Sequence, residues 1–140
     1  METTLKEESL AYIRRIARSA KAEMPKNTTN TEKKKMIGYI TDKMENLKDD
    51  ANPKVEENLI NLLKMLHNDL ANKKDELMIS SFMNGRIPEG FEEISENSRV
   101  NRLKRLKMIV EFRISEGKVS IRKDYDKALE IINLELEKLK

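Results

Sequence analysis

Apolar residues recur at intervals of three and four along most of this chain, and no segment sustains the alternation in twos that a strand requires. That periodicity restricts the chain to helices, and local start and stop signals divide it. A first helix is predicted over about 4–23, opened by the capping-box spacing of Thr4 and Glu7 and striped by Leu10, Ile13, Ala17, Ala20 and Met24. Pro25 closes it. A second is predicted over about 30–47, with Thr29 and Glu32 as another capping box and Ile37, Ile40, Met44 and Leu47 as its stripe. Asn52 as N-cap and Pro53 in the first turn start a third. Val55, Leu59, Leu62, Leu63, Leu66, Leu70 and Leu77 carry that helix to about Met83, with a lapse in the stripe at Asn72-Lys-Lys where it could break. Asn84-Gly85 is a stop signal, and 86–97, with Pro88 and Gly90, reads as a loop. A fourth helix is expected from about Ser98 to Glu116, ended by Gly117. A fifth starts near Ser120 or Asp124 and is striped by Tyr125, Leu129, Ile132, Leu136 and Leu139. Lys118 to Ile121 is expected to be at most a short extended link.

The expected fold class is therefore all-α: about five helices in a compact bundle, with one long central helix over 53–83. A length of 140 residues suits one domain, 1–140, and lets about two-thirds of the unfolded surface be buried. Apolar and charged residues each make up 38%, with four Gly and three Pro, as expected of a water-soluble helical protein. There is no cysteine, which excludes disulfides, thiolate metal sites and cysteine nucleophiles and fits a cytoplasmic setting. Residues 1–8 are acidic and lack an apolar run, so no signal peptide is expected there. No run approaches 18 apolar residues, so no membrane span is expected.

Motifs for catalysis are poor. His67 is the single histidine, placed at the edge of the leucine stripe, and reads as structural. One histidine without cysteine does not make a zinc site, and no serine sits in a strand-to-helix elbow. Gly85 and Gly90 have the separation of a phosphate-binding loop, but Phe91 and Glu92 follow where Lys and Ser or Thr are needed. Asp49-Asp50 and Asp124-x-Asp126 are too sparse for a calcium loop. The expectation is a protein that is not an enzyme and that takes no metal or cofactor.

Charge carries the functional signal. The formal net charge is only +3, but it is sorted along the chain. Residues 14–35 hold eight Lys/Arg and two Glu; residues 99–123 hold nine Lys/Arg and two Glu; the remaining residues are net acidic. Two basic zones in an acidic background imply an anionic partner. On the fourth helix, Leu103, Leu106, Val110 and Ile114 project to one side as the core face. Arg102, Arg105, Ile109 and Phe112 project nearly opposite, with Asn101 at the margin. Arginine pairs bidentately with phosphate or carboxylate and stacks on bases, and an aromatic adds a stacking or wedge surface. Lys104, Lys107, Arg113, Arg122 and Lys123 extend the basic region. A second stripe, Arg14, Arg15, Arg18 and Lys21, lies on the first helix and more simply reads as a solvated face. The bland alternative for the fourth helix is that it is covered on two sides, burying Ile109 and Phe112 and pairing Arg102 and Arg105 with acids from the 89–96 loop.

These features point to a regulatory or accessory protein that binds nucleic acid or a nucleoprotein complex through the basic surface of 99–123, helped by 14–35. Arginines and lysines would contact phosphates; Phe112 and Asn101 could reach bases. Few aromatics argue against a single-strand stacking platform, and little suggests sequence-specific readout. The alternatives are an adaptor or inhibitor that docks the Arg/Ile/Phe face into an acidic protein groove, and a structural homodimer or larger homo-oligomer. The apolar stretch Leu77 to Met83 reads as a buried helix end or as a patch for self-association.

Overall fold

Capping chemistry sets most of the helix boundaries. The computed structural model describes residues 5–18, 24, 25, 27–46, 52–117 and 119–139, and for 119–122 the backbone only. Six α-helices are described: α1 (Glu7–Arg18), α2 (Asn30–Glu45), α3 (Pro53–Asp69), α4 (Lys73–Met83), α5 (Glu96–Glu116) and α6 (Val119–Lys138), with a 3-10 turn at Phe91–Glu93. The all-α class is as expected from the periodicity, and no strand occurs among the described residues. Asn52 accepts the Lys54 N–H at 2.9 Å with Pro53 in the first turn, as the sequence predicts. Gly85 and Gly117 end α4 and α5 at φ +74° and +71°, a backbone region that L side chains rarely adopt. The Thr4 cap, Ala20, Lys21, Leu47 and Lys118 lie outside the described residues.

The predicted long helix is two helices. α3 stops at Asp69, and α4 starts from a complete capping box: Asn72 accepts the Asp75 N–H at 2.9 Å, and Asp75 accepts the Asn72 N–H at 3.0 Å. The lapse in the leucine stripe is thus a helix start. Leu77, placed on that stripe by the single-helix reading, is 62% exposed. The predicted extended link before the last helix is also corrected, since α6 is helical from Val119.

The chain forms two compact units, Met1–Leu70 and Ala71–Lys140. In the first, α3 packs against both α1 and α2. Its buried residues include Ile13 and Ile16 of α1, Met36 and Ile40 of α2, and Leu59, Leu62, Leu63 and Leu66 of α3. The inward face of α2 therefore runs through Met36 and Ile40; Ile37 and Met44 of the predicted stripe are only half-buried. Polar ties link the helices. Glu32 of α2 accepts the Lys6 N–H and the Ser9 hydroxyl, each at 3.0 Å, and so caps α1 from another helix. Asn58 of α3 donates to the Ala17 carbonyl at 3.0 Å. Lys33 of α2 is buried and pairs with Asp69.

In the second unit α6 packs against α4 and α5, and α4 touches α5. The core joins Met78, Ile79 and Phe82 of α4, Phe91 of the loop, Leu103, Leu106, Ile109 and Val110 of α5, and Ala128 and Ile132 of α6. Phe82 and Phe91 meet edge to face at 6.2 Å and 87°. Phe91 is thus a core residue, and the glycines on either side of Arg86 to Glu89 serve turns that bring it inward.

Candidate anion-binding cleft

The α5 residues singled out in the sequence divide into those already committed to α4 and those that are not. Ile109 is fully buried in the second unit's core, so it is not part of an exposed face. Phe112 is half-buried. A 100° turn per residue gives α5 a broad covered arc, because α4 and α6 both pack on it. α5 is covered on two sides, as the bland alternative has it, but the acids come from α4 rather than from the 89–96 loop.

Arg105 donates from Nε at 3.3 Å and Nη2 at 3.0 Å to the same oxygen, Asp75 Oδ2. That oxygen also accepts the Asn72 N–H, so one carboxylate oxygen both caps α4 and holds α5. Arg113 grips Glu76 with two nitrogens, at 2.7 Å and 3.1 Å, and its guanidinium lies 5.9 Å from the Tyr125 ring centre. Burial pulls the pKa of Arg113 down, but its bond to Glu76 and that carboxylate's charge outweigh this and hold it above the ordinary arginine value.

The uncommitted cations stand beside these pairs. Arg102 is half-buried, and its Nη1 donates to the Met78 sulfur at 4.0 Å. Lys104 is exposed and Lys107 half-buried, and neither pairs with a carboxylate among the described residues. Asn101 and Lys123 are exposed; the Arg122 side chain lies outside the described residues. A cleft of about 370 Å³ opens between the start of α4 and the first half of α5. Asn72, Lys74, Asp75, Ser98, Asn101, Arg102 and Arg105 line it. It gathers Asn101, Arg102 and Arg105 of the predicted residues and adds Lys74, which sequence reasoning missed. The signal for Lys74 was present in Asn72-Lys-Lys-Asp75: a helix start whose capping box encloses two lysines.

The secondary stripe lies in the other unit. Arg14, Arg15 and Arg18 are exposed on α1, and Arg15 sits over the Tyr12 ring at 5.4 Å. Arg15, Lys6, Tyr12 and Glu32 border a separate cleft of about 330 Å³. Glu32, one of its lining residues, is 5% exposed. The Lys6 N–H, helped by the Ser9 hydroxyl and nearby lysine charge, lowers its pKa against the opposing effect of burial. No helix among the described residues is long and apolar enough to cross a membrane. No protein-family model, curated protein or solved structure matches this chain.

Proposed function

We propose that the chain is a non-enzymatic accessory protein that binds nucleic acid through the second unit, with the first half of α5 and the start of α4 as the contact surface. The observation that carries this reading is the set of cations left over after the internal pairs are counted. Arg105 and Arg113 are held by Asp75 and Glu76, whereas Lys74, Arg102, Lys104 and Lys107 have no carboxylate partner among the described residues. Lys74 and Arg102 line a concave surface with Asn101, and Lys104 and Lys107 continue the basic surface along α5 outside it. Cations at a polyanion release condensed counterions, and the gain depends on salt. The burial of Ile109 removes the apolar anchor on which docking into an acidic protein groove would rely.

Binding of the full chain to duplex DNA, single-stranded DNA and RNA, each across a salt series, tests this. Four phosphate contacts predict a log–log slope of about −3 to −4 on duplex. Lys104→Glu with Lys107→Glu should reduce affinity for every nucleic acid while circular dichroism stays unchanged. Absence of binding at low salt refutes the proposal.

A further inference from the structure

We propose that the cleft between α4 and α5 takes a ribonucleotide unit, its phosphate held by Lys74, Arg102 and Asn101 and its 2′-hydroxyl by Asp75, so that the chain prefers RNA to DNA. This rests on the nucleic-acid reading and narrows it. At about 370 Å³ the cleft falls at the small end of ligand sites, the size of a sugar with its phosphate rather than a groove for a duplex.

Its lining is strongly biased toward donors. Lysine and arginine side chains only donate hydrogen bonds, and the asparagine amide and serine hydroxyl add two more adjustable groups. Lys74 and Arg102 have no carboxylate partner among the described residues. The single carboxylate, Asp75, has a side chain only 8% exposed. Its Oδ2 is saturated by Asn72 N, Arg105 Nε and Arg105 Nη2. Its Oδ1 accepts no hydrogen bond among the described residues, while the residue itself lines the cleft. Among the described residues Asp75 Oδ1 is not a buried atom lacking a partner, so it is open to solvent and available to an incoming donor. Arg105 offsets the charge of Asp75, so the acid does not cancel the attraction for phosphate.

A phosphodiester brings only acceptors. The one hydrogen-bond donor on a sugar-phosphate backbone is the ribose 2′-hydroxyl, which DNA lacks. Lysine and arginine donors beside an open carboxylate oxygen are therefore complementary to ribose phosphate, and deoxyribose phosphate leaves Asp75 Oδ1 unmet.

Asp75→Asn would disturb both the α4 cap and the Arg105 pair, so the decisive changes are made in the ligand. Short single strands of one base sequence, as RNA, DNA and 2′-O-methyl RNA, are titrated against the full chain at fixed low salt. RNA should bind roughly tenfold tighter than either of the others, the worth of one hydrogen bond to a charged group. Lys74→Ala and Arg102→Ala, checked for unchanged helicity, should weaken all three. Equal affinity for the three strands overturns the inference and leaves the nucleic-acid reading standing. An RNA preference with affinity unchanged in both variants moves binding off the cleft and also overturns it. No binding to any strand overturns both readings.

Discussion

Glu32 joins two helix starts with one carboxylate. It sits in the first turn of α2, its N–H bonded to Thr29 Oγ1 at 3.1 Å, while its side chain caps α1 through Lys6 and Ser9. The sequence marks Glu32 as the far half of a capping box with Thr29. The Thr29 half of that box forms, and the carboxylate serves the neighbouring helix instead. Its pKa in the folded chain is lowered, first by the Lys6 N–H. The stabilisation is therefore fully present above the unfolded glutamate value of about 4.3 and is lost as pH falls through the lower folded value. Denaturant unfolding across an acid series should show stability dropping below about pH 4.3, and Glu32→Gln should flatten that drop. At neutral pH the same substitution should cost about 1 kcal/mol, since a neutral acceptor replaces a charged one. An equally steep acid loss in the variant would assign it to other carboxylates.

The start of α4 makes a comparable demand of one short segment. Asn72→Ala removes the acceptor for the Asp75 N–H and should lower stability by about 1 kcal/mol, whereas Asn72→Gly should cost only a few tenths. Urea midpoints with unchanged slope would check this. Local signals of this kind were legible in the sequence wherever they act within a few residues: Asn52-Pro53, Gly85 and Gly117 set helix ends as expected. The break before α4 was legible only as a lapse in the stripe, although Asn72-Lys-Lys-Asp75 is itself a start signal. What covers α5 was not legible. A helical projection assigns arcs but says nothing about which arc meets a neighbour, and the partners of Arg105 and Arg113 lie 30 and 37 residues away. Ile109 is buried in a core that draws on α4, α6 and the Phe91 loop together, and a projection of α5 alone contains none of these. Of the predicted contact residues, the basic ones beside the cleft stood out from their charge alone; the cleft depended on a turn that brings Lys74 next to Arg102.

Across the whole molecule, each unit has its own buried residues, and the second is organised around Phe82, fully buried against Phe91. Phe82→Ala should cost about 3–5 kcal/mol within that unit. Hydrogen exchange should then quicken through α4, α5 and α6 more than through α1, α2 and α3, because cooperative units open separately. Uniform quickening along the chain would show that the two units unfold as one. The division also falls at an unusual place. α3 closes on the Leu70 N–H bonded to the Leu66 carbonyl, and α4 opens on Asn72. Only Ala71 stands between a finished helix end and a finished helix start, and the boundary of the units coincides with it. In genetic terms this is a seam: a coding insertion, a duplication or an exchange of one half at that codon leaves every helix-ending signal on either side intact.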